Sequence, residues 1–411
     1  VVLSHPTGNS FVRGAIEGLE SAGLLAEFYT SVATFPGNVW SMLSRTAVGR
    51  EFGRRQYAEQ VRPLTRQRPM RELGRMVANK AKLSRLTRHE SGPFCVDAVY
   101  RDLDRHVAKQ IRRCRCRAVY AYEDGALETF RAAKSLGIQS LYDLPIGYWR
   151  TARTLLGREQ ERWPEWAATM PGFKDSQAKL ARKDEELQLA DRIYVASQFT
   201  RSTLDDYPGK LAPVEVIPYG YPPPGAQRDY CGLGRRKLKL LYVGGLSQRK
   251  GIADVFAIAQ ALANEVELTI VGNGPVNECR PLSEALGRHR WIASLPHAQV
   301  LELMREHDVL LFPSLFEGFG LVITEAMSQG TPVITTDRTA GADLIEHGKN
   351  GWLIEAGDTE ALRLQVEQVL NNVGSVAECG ENARQCAARR PWSQYGQEIA
   401  ASIRSAVEGT E

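Results

Sequence analysis

Between Pro313 and Gly330 the sequence reads PSLFEGFGLVITEAMSQG, directly after the apolar run Val309–Phe312. Gly318 and Gly320 remove side chains where an apolar-periodic helix is predicted to begin, which leaves its first N–H groups uncapped. Unpaired amides and the positive end of the helix macrodipole together attract anions, a diphosphate among them. Glu317 stands just before that helix, and Glu325 lies about 9 Å along it at 1.5 Å per residue. A ligand anchored by its diphosphate at the helix end would reach one carboxylate with each of its ends. Carboxylates accept from paired hydroxyls, such as those of a sugar or a ribose. The alternative for this stretch alone is a glycine turn entering an amphipathic helix with two solvated glutamates.

Three further strand-end loops carry residues of the right type. In VGGLSQRKG, Gly244 and Gly245 allow close backbone approach, while Arg249 and Lys250 can neutralise a diphosphate and its leaving-group charge. An ordinary basic pair in a strand–helix loop is the competing reading. In VGNGP, Gly272 lets the chain pass close to a flat base, but the residues that follow break the dinucleotide fingerprint and argue against a nicotinamide enzyme. In HPTGNS, after the first strand, Gly8 lets the backbone approach a ligand in the cleft, with Asn9 beside it. His5 is a candidate to line a second substrate's pocket there, or a satisfied structural histidine. Glu123, after Ala118–Tyr122, is another such candidate, with a solvated turn as its alternative.

The elements that must position these loops follow from pattern. In the second half, Leu238–Val243, Val266–Val271, Val309–Phe312, Pro332–Thr335 and Trp352–Ile354 read as buried strands, with helical segments between them. The first half repeats the theme at Val1–Ser4, Ala26–Thr30, Ala118–Tyr122, Ile138–Tyr142, Arg192–Ser197 and Val214–Pro218, with a helical, basic stretch at 41–115. Strand–helix alternation implies parallel sheets covered on both faces. The expected fold is α/β, two Rossmann-like doubly wound domains facing a central cleft. YGYPPPG (219–225) can continue neither helix nor central strand, so the boundary is placed there. The first domain is 1–222 and the second 223–392, with a helix over 393–411 packing back on the first.

Length and composition agree: 411 residues exceed one ordinary core, and 43% hydrophobic with 24% charged content describes a globular chain. No apolar run approaches the roughly 20 residues of a membrane span. Seven scattered cysteines show no CxxC spacing, which fits reduced thiols and a cytoplasmic location. Seven histidines form no ligand-spaced cluster, so no metal is expected. Residues 1–230 carry 35 Lys and Arg against 26 Asp and Glu, whereas 231–411 carry 17 against 22. Segment 41–90 alone has 13 basic and 4 acidic residues. That surplus, from Arg45 to Arg88, suits an anionic membrane surface with Trp40, Met42, Leu43, Phe52 and Met70 as insertion residues, a solvated face, or an anionic glycan. Nucleic acid is disfavoured by the acidic second half and the aromatic-poor basic tract.

Taken in order, ADRIYVASQFTRSTL (190–204), VIPYG (216–220), YVGGLSQRKG (242–251), LTIVGNGP (268–275), HDVLLFPSLFEGFGLVITEAMSQGTPVITTD (307–337) and NGWLIEAGD (350–358) resemble glycosyltransferase family 4. The resemblance covers about residues 190–395 and the first half only in outline. It implies the two-domain GT-B architecture and transfer of a sugar from a nucleotide-diphosphate donor to an acceptor hydroxyl on a glycan, a lipid-linked or a small molecule. Retention of configuration and no metal or other cofactor are also implied. Glu317 matches the family's sugar-contacting glutamate, Glu325 the ribose-contacting one and Lys250 the phosphate-binding lysine. Phe319, Gly320 and Leu321 match backbone positions that hold sugar and diphosphate. Two departures stand out. Gly245 replaces a common arginine, whose charge Arg249 would supply from four residues on. In LYDLPIGYWR (141–150), Asp143 stands where many relatives carry a histidine, either as an acceptor contact or as a structural strand-end aspartate. A nucleotide-sugar epimerase, or a non-catalytic nucleotide-sugar or glycan binder, are the alternatives on the same fold.

Overall fold

The computed structural model describes residues 1–44, 50–170 and 174–408. Arg45 of the basic stretch and the last three residues of the expected C-terminal helix therefore lie outside the described residues. Thirteen strands form two all-parallel sheets among the described residues. Parallel strands covered on both faces read as continuous apolar runs, as AVYAY in Ala118–Tyr122 and VLLF in Val309–Phe312 do, each buried at every position.

The first sheet comprises β1 (Val2–Ser4), β2 (Glu27–Thr30), β3 (Thr65–Gln67), β4 (Ala118–Tyr122), β5 (Gln139–Leu144), β6 (Arg192–Val195) and β7 (Val214–Val216). Its order is β3-β2-β1-β4-β5-β6-β7. The second comprises β8 (Leu238–Val243), β9 (Val266–Val271), β10 (Arg290–Ile292), β11 (Val309–Phe312), β12 (Val333–Thr336) and β13 (Trp352–Ile354), ordered β10-β9-β8-β11-β12-β13. Both are doubly wound, and in both the strand order reverses beside the first strand. That reversal opens a crevice at the carboxyl ends, where ligands of such sheets bind. The loops after β1, β4, β8 and β11 are the four singled out by their residue types.

Two edge strands escape the sequence reading. β3 is Thr-Arg-Gln, a polar interruption in the basic stretch between the helices Val39–Ser44 and Met70–Lys80. β10 is three residues long and largely exposed. Neither is long or apolar enough to show a period.

The chain passes between the sheets twice, side by side. Tyr219 is buried in the first domain, stacked on Phe11 at 5.0 Å, while Tyr221 is buried among residues of the second. On the return, Tyr221 N donates to Arg390 O at 2.9 Å, and Arg390 Nη2 donates to Pro218 O at 2.6 Å. The helix Trp392–Glu408 then lies along the helix Ser10–Ser21. A Cβ on Gly18 would overlap the carbonyl of Gly396, so the backbones meet without intervening side chains.

One piece of first-half chain joins the second domain. Between β5 and β6, the helix Trp149–Arg162 leads into the turn Pro164–Thr169, whose Trp166 is buried in the second core and stacks on Phe256 at 5.9 Å.

Candidate functional site

The loop after β8 is built from close backbone contacts. Gly272 has φ +153°, and a Cβ there would overlap Gly244 O, so the loops after β8 and β9 touch through glycine. Gly251, at φ +69°, lies against Pro313 O in the same way. Gly245 differs: a Cβ there meets nothing within 4 Å, so an arginine at this position is not excluded by lack of room. Ser247 Oγ accepts from Arg249 N and starts the short turn Gln248–Lys250.

That turn delivers two cations to one carboxylate. Lys250 Nζ lies 3.0 Å and Arg249 Nη1 3.2 Å from Glu317 Oε2, and Arg249 Nη1 also donates to Phe316 O at 2.6 Å. Burial alone would raise the Glu317 carboxyl, but the Lys250 ammonium and the Arg249 guanidinium outweigh it and hold the group below the usual carboxylate range. Gly320, at φ +87°, starts the helix Leu321–Ser328, and no side chain caps its first turn. The result is a cationic pair beside an uncapped helix N-terminus, suited to an anion. Further along the same helix, Glu325 accepts from His297 Nε2 at 3.0 Å. That bond raises the imidazole pKa against a smaller opposing effect of burial.

The first domain pins this loop from the other side. Ser197 Oγ and Thr200 Oγ1 donate to Gly318 O at 2.6 and 2.7 Å, and a Cβ on Gly318 would overlap Pro145 O. Phe319 is buried against Tyr219 at 4.9 Å. A cavity of about 320 Å³ lies between the domains, with Ser10, Arg13 and Glu17 facing His297, Leu321 and Glu325. Gly8, at φ +67°, is closed off by Tyr57, whose hydroxyl lies where a Cβ would stand. Asn9 is exposed at the start of the helix Ser10–Ser21, where its side chain makes no capping bond.

The three acceptor-side candidates receive other work. His5 is 3% exposed, and its Nδ1 accepts from Gly8 N at 2.9 Å and Thr7 N at 3.2 Å. Burial pushes its pKa down to about 3, so it is a neutral brace for its own loop. Glu123 is held by Lys183 at 3.3 Å with its side chain 9% exposed. Asp143 is 3% exposed and accepts from Tyr120 Oη at 2.5 Å, in a pocket of tyrosines. Each points inward because burial with a satisfied partner is cheaper for a strand-end polar group than burial alone. Phe52, expected as an insertion residue, is likewise buried beside Trp40. Among the described residues, His89, Glu90 and Asp175 have ligand atoms within 4.8 Å of one another, but Lys179 and Lys183 sit on Asp175 at 3.1 and 3.8 Å and oppose a further cation.

Residues that the sequence reading missed lie mostly inside motifs it used. Gln248, beside Arg249, is fully buried, and Ser197 and Thr200 belong to the 190–204 stretch. His297 has no motif around it, and only its place opposite Glu325 reveals it.

Residues 228–386 match the family described as glycosyl transferases group 1. A glycogen synthase of Mycobacterium tuberculosis is 30% identical over 155 residues, covering 36% of this chain and 37% of that protein. D-inositol 3-phosphate glycosyltransferase 2 of Catenulispora acidiphila is 30% identical over 245 residues, 53% of this chain and 56% of its own length. The chain thus aligns with about two to three fifths of these relatives. Among solved structures, the Anabaena protein HepE in complex with UDP and glucose superposes with a TM-score of 0.64 at 16% identity, over 98% of this chain and 99% of that one. Its likeness is one of fold, and it extends across both domains. Residues 228–386 therefore match the glycosyl transferases group 1 family, and the chain as a whole has the two-domain GT-B fold.

Proposed function

We propose that the protein transfers a hexose from a nucleotide-diphosphate sugar to an acceptor hydroxyl, with retention of configuration and without a metal. The observation that carries this reading is the Arg249–Lys250–Glu317 cluster at the uncapped start of Leu321–Ser328. The acceptor oxygen bonds to the anomeric carbon as the bond from that carbon to the donor phosphate oxygen breaks. The acceptor proton passes to the departing phosphate oxygen on the same face, so the products are the glycoside and a nucleoside diphosphate. Lys250 and Arg249 offset the charge that develops on the leaving group, the work a divalent cation does elsewhere. Glu317 accepts from sugar hydroxyls and Glu325 from the ribose. Gly244, Gly245, Gly272, Phe319, Gly320 and Leu321 supply backbone at the donor, with Asn9 exposed on the first-domain side; Gly8, covered by Tyr57 and bonded to His5 and Arg13, shapes that loop instead.

The acceptor enters from the first domain, and the exposed apolar side chains there favour a lipid-linked one. Met42, Met70 and Val77 are 67%, 76% and 66% exposed. Arg55, Arg62, Arg66, Arg68 and Arg75 are paired with carboxylates, whereas Lys80, Lys82, Arg85 and Arg88 are exposed without an ion pair among the described residues. No helix among the described residues is long and apolar enough to cross a membrane. The protein would then work in the cytoplasm, resting on the inner face of an anionic membrane.

Thermal melting with UDP, GDP, ADP and CDP tests the donor site, because a ligand of the folded state raises the melting temperature by mass action. One nucleotide should stabilise the protein, and Glu325→Ala should lose most of the shift. No shift with any of the four would remove the transferase reading. Turnover of a nucleotide sugar without any acceptor, yielding its epimer, would replace it with an epimerase.

A further inference from the structure

We propose that Glu159 and Gln248 form a positioning pair, through which the stretch of first-domain chain at 145–170 sets the Arg249–Lys250 loop for a donor diphosphate. This deepens the transferase reading and rests on it.

The turn that carries both cations is three residues long, too short to hold its own conformation. Gln248 anchors it. Its side chain is fully buried and both amide hydrogens and the carbonyl oxygen are engaged: Nε2 donates to Glu159 Oε1 at 2.6 Å and to Asp254 Oδ2 at 2.8 Å, and Oε1 accepts from Ala253 N at 2.7 Å. The Gln248 backbone N donates to Thr169 Oγ1 at 3.0 Å. Two of those four bonds reach across to the first half of the chain. Arg162 bridges the carboxylates, with Nη1 3.0 Å from Glu159 and Nη2 donating to Asp254 and to Thr359 Oγ1. Neither acid is therefore a lone buried charge.

The same stretch presses on the second loop. Leu156 is buried with Leu315 and Phe316, and a Cβ on Gly147 would stand 2.5 Å from the Phe316 ring. Arg249 follows Gln248 directly, and Glu317 follows Phe316. First-domain residues thus grip each donor loop one position away from its charged side chain, and from behind. A buried polar network fixes one geometry more narrowly than apolar packing of the same volume would. Here the geometry it fixes is the separation of two cations from one carboxylate.

The test uses the full chain with three substitutions: Glu159→Leu, Glu159→Gln, which can still accept from Gln248, and Thr169→Val, which removes the acceptor of Gln248 N together with the hydroxyl's own bond to Trp166 O and keeps the shape. Amide hydrogen exchange reads the loop directly, and titration with the nucleoside diphosphate and its monophosphate reads the phosphate site. In Glu159→Leu and Thr169→Val, the amides of 248–251 should exchange about tenfold faster while those of β9 do not change. The diphosphate should bind about tenfold more weakly and the monophosphate within about twofold of wild type, with Glu159→Gln close to wild type in both. Unchanged exchange at 248–251 in Thr169→Val, or equal weakening of both nucleotides, would overturn the proposal. A wild-type protein that binds no nucleotide removes the transferase reading, and the exchange measurement still judges the pair.

Discussion

Two buried carboxyls show how neighbours decide the state of one functional group. Glu317 faces a guanidinium and an ammonium and is held below the usual carboxylate range, whereas Asp143 faces tyrosines and keeps its proton up to about pH 7. Burial lifts Asp143 from 3.8 to about 7, opposed by the bond from Tyr120. Across that interval the folded state holds a proton that the unfolded chain has lost. Stability contributed by the site is full below the unfolded value and disappears as pH rises to about 7. Asp143→Asn has no such slope. Its stability should gain on wild type from about pH 4 to about pH 7, by up to about 4 kcal/mol, and run parallel above. Denaturant titrations across that range check it; a constant difference would mean the carboxyl is charged throughout. Sequence alone could not separate the two acids. Both lie at the carboxyl side of a sheet, Asp143 within the last residues of β5 and Glu317 in the loop after β11, and only the direction of the side chain assigns one to the crevice and the other to the core. The same applies to His5, whose spacing before Gly8 reads equally as ligand or brace.

Among the elements, those central in each sheet were legible, because strands such as β4, β8 and β11 are apolar at consecutive positions and stop at glycine, proline or a charged turn. The helix Met70–Lys80 is a different case. Met70 and Val77 fall on one face at a spacing of seven, exposed rather than buried, and Lys80 and Lys82 follow at its end. If this face meets a bilayer, the protein should sediment with anionic vesicles and not with neutral ones. Each cation near the surface contributes about 1 kcal/mol, so reversing Lys80 and Lys82 to Glu should weaken binding by more than tenfold. Sedimentation indifferent to vesicle charge would eliminate the membrane. What no pattern could announce is the destination of the helix Trp149–Arg162. Amphipathic spacing says that one face is buried, never which domain buries it, and the β3 edge strand is too polar to show a pattern.

For the molecule as a whole, the two crossings at 219–222 and 390–392 leave the domains joined by a paired connection. The first domain is closed by the last helix, which buries Tyr395, Ile399 and Ile403 against it. Gly18→Val would force a side chain onto the Gly396 carbonyl and should cost about 2–3 kcal/mol of unfolding free energy, read as a lower denaturant midpoint. An unchanged midpoint would show that the two helices carry little of the stability. The closure has a further consequence in time. Arg404 reaches Ala22 O across 382 residues of chain, so the helix that completes the first domain is made only after the whole of the second. The second domain can finish its core while synthesis continues, but the first must wait, with the apolar face of Ser10–Ser21 uncovered. During that interval a chaperone has most to protect in the first domain rather than at the growing end.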